Sequence, residues 1–254
     1  MSETVRTFDG NVALITGAAG VIGRATAAIL AQRGASIAAV DRPGADFSAL
    51  RQALPADTKL ILIEADVSQE QDVQRYVETT CADFGTIDIF FNNAGIEGPT
   101  ALLADYPVAE FRRVLEINVV GVFLGLQLVM PIMIRQGAGS VINTSSVAGL
   151  KGSPAMAGYV ASKHAVLGLT RGAAMEGAPK GVRVNSIHPG FIDSRMLNDL
   201  VVSRGGNAAD LALRVPAKRL GMPEEVARAV AFLAGEESSY MNGAALVIDG
   251  GLTV

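Results

Sequence analysis

The chain has 254 residues, 50% apolar and 18% charged, which excludes a disordered or linker-dominated protein, because such chains lack the apolar surface that offsets ordering entropy. Its 21 basic and 25 acidic residues give a net charge of −4, without the basic excess of a nucleic-acid binder. Two histidines and one cysteine argue against a His/Cys zinc site, and no metal is expected.

Apolar runs of strand length alternate with helix-like segments. Val12–Thr16 reads as the first strand and runs into a glycine-rich turn that opens a helix over Val21–Arg33. Gly34 follows that helix, where glycine suits the left-handed cap. Strands then fall at Ser36–Asp41 and Leu60–Glu64, followed by a helix over Gln69–Phe84. Ser68 and Gln71 form a capping-box pattern at its start. Next come strand Ile87–Phe91, helix Pro107–Gln136, strand Ser140–Ser145, helix Ala155–Ala178 and strand Val182–Ile187. One long irregular piece, Asp193 to Leu220, precedes helix Pro223–Leu233 and strand Ala244–Ile248. Pro223 suits a first helical turn. The strands lack polar/apolar alternation, as expected of parallel strands buried on both faces. Repeated strand–helix–strand units imply right-handed crossovers. The expected fold is α/β, a doubly wound parallel sheet of Rossmann type, about seven strands with helices on both faces. Unbroken alternation predicts one domain over 1–254.

The longest apolar tract, Val119 to Ile134, is interrupted by Gln127 and Pro131 and is shorter than a bilayer span of roughly 20 residues. It reads as a buried helix. Met1 to Gly10 shows no basic stretch followed by an apolar run, so no signal peptide is visible. Cys81 alone forms no internal disulfide, which fits a reducing, cytoplasmic location.

The first strand ends in Thr16-Gly17-Ala18-Ala19-Gly20-Val21-Ile22-Gly23. Glycines there let the backbone approach a pyrophosphate and aim the helix N-terminus at its charge. Asp41 ends the second strand, 18 residues after Gly23. A carboxylate at that place accepts hydrogen bonds from a ribose 2′-hydroxyl and repels a 2′-phosphate. Strand, turn, helix and acid in this order point to a dinucleotide. Farther on, Tyr159 and Lys163 stand four apart and share one helix face. A free phenol titrates near ~10, too high for an efficient base at neutral pH. A neighbouring ammonium favours phenolate, so Tyr159 is expected to have a lowered pKa and to exchange a proton with an alcohol or ketone.

Thr16 to Gly23, Asn92-Asn93-Ala94-Gly95, Asn118, Ser145-Ser146, the Tyr159–Lys163 pair and Pro189-Gly190 occur in one order. In this the chain resembles the short-chain dehydrogenase/reductase family, in its compact single-domain branch, from Val12 to Gly251. The resemblance implies an NAD-dependent oxidoreductase that interconverts a secondary alcohol and a ketone. By that likeness Tyr159 is the acid/base, and Lys163 lowers its pKa and binds the nicotinamide ribose. Ser146 holds the substrate oxygen, and Asn118 holds a water in the proton relay. Gly17, Ile22 and Gly23 belong to the pyrophosphate turn. Asp66 and Val67 contact adenine; Asn93, Ala94 and Gly95 support the adenine ribose. Pro189, Gly190, Ile192 and Ser194 border the nicotinamide and its carboxamide. Asp41 marks a preference for NAD.

Two positions depart from the family's pattern. Val21 stands where the middle glycine of the turn is usual, which is tolerated only if the backbone needs no positive φ. Ser194 replaces a common threonine and keeps the hydroxyl. Arg42, after Asp41, is able to hold a 2′-phosphate or to stack on adenine. His164 points away from the Tyr159 face and reads as structural. His188 reads either as structural or, being one step from the nicotinamide stretch, as bordering the substrate. Cys81 reads as a small core residue.

Ile96, Glu97, Val147, Ser153, Met156 and Phe191 suggest a mostly apolar substrate pocket. The segment 193–220 is expected to cover it, with apolar faces from Leu197, Leu200, Val201, Val202, Leu211 and Leu213. Arg195, Arg204 and Arg214 are expected to face solvent or an anionic substrate. Two other readings compete: a 3-oxoacyl-carrier-protein reductase using NADPH, and a non-catalytic nucleotide-binding protein on the same fold. The first is opposed by Asp41 and the acidic balance, the second by the complete Asn118, Ser146, Tyr159 and Lys163 set. Apolar residues nearly encircle the Pro107–Gln136 helix, and an all-round apolar helix must be buried. The family likeness adds a homotetramer, with a dimer as fallback, through that helix and Ala155–Ala178, and through Gly243 to Val254.

Overall fold

The structure is a computed structural model that describes residues 7–194, 197 and 207–254. Arg195, Leu200, Val201, Val202 and Arg204 of the covering segment lie outside them. Among the described residues, seven parallel strands form one sheet in the order β3-β2-β1-β4-β5-β6-β7. They are β1 Val12–Thr16, β2 Ser36–Asp41, β3 Leu60–Glu64, β4 Ile89–Asn92, β5 Gly139–Thr144, β6 Val182–Pro189 and β7 Ala245–Ile248. The helices are α1 Val21–Gln32, α2 Ser48–Ala53, α3 Glu70–Phe84, α4 Val108–Leu115, α5 Gly121–Gln136, α6 Ala157–Gly177, α7 Ala208–Arg214 and α8 Pro223–Ala234.

Successive strand residues point to opposite faces, and both faces are covered. Leu14, Val40, Phe90, Val141 and Val184 pack with Tyr76, Val129 and Val166 on one side. Ala13, Ile15, Ile37, Phe91 and Ile187 pack with Ala27, Leu30, Val226 and Val230 on the other. Burying each large apolar side chain contributes about 1.5–3 kcal/mol, so strands with no polar face are the stable solution. At the far side Arg183 ties β6 to the end of α8, donating to the carbonyls of Leu233 at 2.9 Å and Gly235 at 3.1 Å.

β1, β2 and β3 coincide with the sequence reading; other boundaries move for local reasons. β4 runs Ile89–Asn92 rather than Ile87–Phe91, and Asp88 just before it bridges both neighbours: its N–H donates to the Val12 carbonyl at 3.0 Å, its carbonyl accepts the Ser140 N–H at 2.9 Å and its carboxylate accepts the Val12 N–H at 2.8 Å. β6 runs on to Pro189, because β7 pairs His188 with Val247 and Pro189 with Ile248. The expected capping box at α3 does not form. The N-cap is Gln69, without a side-chain bond, and the Ser68 hydroxyl donates to Asp66 at 2.7 Å instead. The long apolar helix is broken by a π-helical turn, Glu116–Val120, between α4 and α5. It is not wholly buried either: Phe123 is 45% exposed, and Gln127 and Pro131 are exposed with it. The stretch Val108–Gln136 is long and apolar enough to cross a membrane, yet 50% of its most apolar window is buried inside the fold.

Candidate active site

β2 and β3 lie on one side of β1, and β4 onward on the other. Connections therefore leave in opposite directions between β1 and β4, which opens a crevice at the carboxyl ends of the strands. Two sets of residues face each other across it.

The first set surrounds the glycine turn. Gly17 has φ +66°, a conformation that penalises side chains. A Cβ on Gly23 would fall on the Gly17 carbonyl oxygen and 2.8 Å from the Ala18 Cα, so α1 packs this close only with glycine there. Gly20 is extended and Val21 begins α1. No positive φ is needed at Val21, which explains why a β-branched residue is accepted. The N-cap of α1 offers no side-chain bond, and its first turn, which includes Ile22, holds no acid. Its free N–H groups suit an anion. Asp41 accepts the Ala19 N–H at 2.9 Å and the Arg42 N–H at 2.8 Å, while the Arg42 side chain is exposed. Asp66 accepts both the N–H and the O–H of Ser68, at 3.0 and 2.7 Å, beside buried Val67. An uncapped helix start above a glycine turn, with a carboxylate at the end of β2, fits a dinucleotide.

Thr16 joins this set to the second. Its hydroxyl oxygen accepts the N–H groups of Asn93 at 2.9 Å and Ala94 at 3.1 Å. Asn93 Nδ2 donates to the Thr16 carbonyl at 3.1 Å, and Thr144 donates to Asn93 Oδ1 at 3.1 Å. The ends of β1, β4 and β5 are thus stitched together.

In the second set, the π turn presents Asn118, which is fully buried. Its Oδ1 accepts the Ile96 N–H at 2.8 Å, and its Nδ2 donates to the Ile96 carbonyl at 2.8 Å and to Ser162 at 3.0 Å. The side-chain amide thus anchors the strand-to-helix crossing. Gly95 makes room there: a Cβ would lie 3.1 Å from Asn118 Oδ1 and 3.5 Å from Lys163 Nζ.

Lys163 is 4% exposed. Its Nζ donates to the Thr144 carbonyl at 2.8 Å and lies 5.5 Å from the centre of the Tyr159 ring. Burial pushes the ammonium down to about 8. Burial likewise pushes the Tyr159 phenol up to about 12; a hydrogen bond with Ser146 pulls it down and the Glu97 charge pushes it further up. The expected lowering of the phenol by Lys163 is not what the structure shows. Desolvation penalises phenolate more than its neighbours favour it, and it disfavours the ammonium as well.

Ser146 caps the short turn Val147–Gly149, its Oγ accepting the Ala148 N–H at 3.1 Å; the hydroxyl proton points elsewhere. Pro189 ends β6, and the Gly190 N–H donates to Ile248 at 2.9 Å. Ile192 bridges Gly221, and Ser194 Oγ accepts the Leu197 N–H at 3.1 Å. Gly221 donates its N–H to Phe191 and accepts that of Asp193, both at 2.9 Å. Met156 and Leu197 form a small apolar cluster with Tyr159, Val160, Phe191, Leu211 and Leu220 against them. Leu197 and Leu211 of the segment 193–220 thus share one apolar cluster with Tyr159. Leu213, expected on the same apolar face, is 62% exposed, and Arg214 is exposed to solvent.

His188 is fully buried beneath Ser146, so it offers no surface to a substrate, contrary to the reading that it borders one. His164 is exposed, bonded to the Val160 carbonyl at 2.9 Å. Cys81 is half-buried, and burial pushes its thiol up. The sequence reading missed Thr144 and Ser162. Thr144 contributes mainly a backbone carbonyl, which leaves no signature; Ser162, between Tyr159 and Lys163, was within reach of the helical spacing.

A family profile described as Enoyl-(Acyl carrier protein) reductase matches residues 17–253. The levodione reductase of Leifsonia aquatica is 43% identical, over 98% of this chain and 96% of that protein. A cyclohexanol dehydrogenase of an Acinetobacter species is 37% identical, over 97% and 96%. A 3-oxoacyl-(acyl-carrier-protein) reductase of Thermotoga maritima is 40% identical, over 97% and 99%. Among solved structures, levodione reductase superposes with a TM-score of 0.94 at 41% identity, covering 96% of this chain and 98% of that one. NAD+-bound xylitol dehydrogenase gives 0.90 at 39% identity, covering 96% and 99%.

Proposed function

We propose a function from one premise: this chain belongs to the short-chain dehydrogenase/reductase family. It is an oxidoreductase, and we assign it the NAD-dependent interconversion of a secondary alcohol and its ketone. The observation that carries the reading is the convergence of Ser146, Tyr159 and Lys163 beside the apolar cluster at Met156 and Leu197. A bound nicotinamide supplies or accepts the hydride. In ketone reduction the protonated Tyr159 phenol donates its O–H to the substrate oxygen, which Ser146 holds by its own hydroxyl proton. In alcohol oxidation Tyr159 takes that proton, and Lys163 offers positive charge toward the phenolate. Asn118 positions the backbone at Ile96 beside them. Gly17, Ile22, Gly23, Asp66, Val67, Asn93, Ala94, Gly95, Pro189, Gly190, Ile192 and Ser194 hold the dinucleotide, with Asp41 on the adenosine ribose.

The names of levodione reductase and cyclohexanol dehydrogenase make carbocyclic alcohols and ketones the first substrates to assay. Assays pair NAD and NADP with a panel of secondary alcohols headed by cyclohexanol. A higher kcat/KM with NAD supports the reading, and equal efficiency with both cofactors overturns the cofactor choice. The likeness to the Thermotoga maritima reductase favours a second reading, a 3-oxoacyl-carrier-protein reductase, which NADPH-dependent turnover of a 3-oxoacyl thioester would support.

The enzyme is proposed to be cytoplasmic, which the single half-buried Cys81 suits. A homotetramer is the proposed assembly, with a dimer as fallback. Phe123 on α5 and Met175 on α6 are 45% and 80% exposed, and a two-fold contact would cover them. Light scattering at micromolar concentration tests this, and a mass near the single-chain 26.3 kDa overturns it.

A further inference from the structure

Ser146 owes its orientation to a small set of bonds. It is extended, at φ −167° and ψ 166°, between the end of β5 and the turn that follows. Its carbonyl accepts two hydrogen bonds, from the Gly149 N–H at 2.8 Å and from His188 Nδ1 at 2.8 Å. The first is local to the turn. The second reaches across from β6 and is the one that refers Ser146 to the rigid sheet. His188 is itself fixed, because its Nε2 lies 2.9 Å from the Ser186 hydroxyl and no part of it is exposed.

The tautomer follows from the partners. A carbonyl only accepts, so Nδ1 carries the proton. A neutral ring then has Nε2 as an acceptor, and the Ser186 O–H must donate to it. The alternative acceptor for that hydroxyl, the Ala244 carbonyl at 3.2 Å, already receives the Ser186 N–H at 2.9 Å. Burial holds the imidazole below its ordinary pKa against the Ser146 hydrogen bond, which raises it, and the charges of Lys163, Arg171 and His164, all on α6, add to the lowering. The result is a one-way chain, Ser186 O–H to Nε2 and Nδ1–H to the Ser146 carbonyl.

We propose that His188 is a positioning residue for the reaction: its Nδ1–H holds the Ser146 peptide so that the serine hydroxyl stays aimed at the Tyr159 oxygen and the substrate oxygen. This role rests on the oxidoreductase reading above, although the tautomer does not. Asparagine is the conservative replacement, since its amide N–H reaches from Cγ as the Nδ1–H does. Phenylalanine keeps a ring but brings no donor, and leaves a buried carbonyl with one partner fewer.

The test has two arms. Nitrogen NMR of the imidazoles is simple with two histidines, and His164→Asn assigns them. The buried ring is expected in the Nδ1–H form at neutral pH, with its titration displaced below the ordinary histidine range; an Nε2–H form overturns the proposal without reference to any activity. In kinetics, His188→Phe is expected to lower kcat by at least ~10-fold, in keeping with the sensitivity of rate to small misplacements, while NAD binding measured by fluorescence stays within about twofold. His188→Asn is expected to recover kcat to within about threefold of wild type. A His188→Phe enzyme at more than half the wild-type kcat overturns the proposal, as does His188→Asn falling as far as His188→Phe by any route, misfolding included. Absence of turnover in the wild type instead fails the oxidoreductase reading, and the NMR arm still stands.

Discussion

The two sides of the crevice are made of different materials. On the β1–β3 side, the groups turned toward a ligand are the backbone N–H groups of an uncapped helix and two half-exposed carboxylates, Asp41 and Asp66. On the β4–β6 side, Asn118, Ser162, Lys163 and His188 are buried, and their polar atoms are bonded within the protein, Asn118 to Ile96 and Ser162, Lys163 to the Thr144 carbonyl and His188 to the Ser146 carbonyl. Each carboxylate is partly exposed and holds only two nearby groups, the Ala19 and Arg42 N–H groups at Asp41 and the N–H and O–H of Ser68 at Asp66, so its loss is local. A buried polar group is costly to unpair, because the partner left behind bears the cost of its own desolvation. The first side is therefore expected to govern affinity and cofactor choice, and the second rate and stability.

Tyr159→Phe sharpens that contrast most. It removes one oxygen from the β4–β6 side, and kcat is expected to fall at least ~10²-fold, the lower end for general acid–base catalysis, with NAD affinity little changed. Activity within a few-fold of wild type would break the comparison at its centre.

Lys163 gives the next effect, through pH. Its folded value of about 8 lies below the free value of 10.5. Between these values the unfolded chain binds the extra proton, so folding stability rises with pH across that window and is lost as pH falls through it. Tyr159, raised from 10.0 to about 12, acts oppositely and only at higher pH. Urea melts of the wild type should gain about 2–3 kcal/mol from pH 8 to pH 10 relative to Lys163→Met. Parallel pH profiles of the two proteins would show that the lysine is not desolvated.

The binding side is probed by Gly23→Ala, whose methyl meets the Gly17 carbonyl and Ala18. A cost of about 1–3 kcal/mol is expected from overpacking, read as a lower Tm and a weaker NAD Kd with kcat preserved at saturation. A loss of kcat with unchanged Kd would reverse the assignment of the two sides. The smallest effect belongs to Asp41→Ala, expected to narrow the NAD-over-NADP ratio of kcat/KM by removing repulsion of a 2′-phosphate, with kcat held.

What the sequence disclosed divides along the same line. β2 could be bounded to the residue, because an apolar run is closed by Asp41 and preceded by Gly34. The Tyr159–Lys163 pair was readable because helix spacing alone makes them neighbours. The opposed shifts of that pair were not, because they depend on burial, which a phenol and an ammonium four residues apart do not reveal. The π turn at Asn118 carries no composition signal, and the partner of Lys163 is a carbonyl that any residue at 144 would supply. The facing of His188 stayed open for a related reason: proximity along β6 says which strand end a side chain occupies, while alternation along the strand and the packing around it decide whether it is buried.

The contacts of Phe191 and Asp193 with Gly221 close the covering segment at its neck. Past the neck the described part of the segment is tied again, Ala217 donating its N–H to Gly250 at 3.1 Å and Val215 being buried, and the length of chain between the two ties scarcely matters to the rest, since doubling a loop costs only about 0.6 kcal/mol in closure entropy. A segment of different length or lining is thus exchangeable between Asp193 and Val215 without disturbing β6 or α8. Relatives sharing this sheet are free to diverge in what they accept by changing that insert alone.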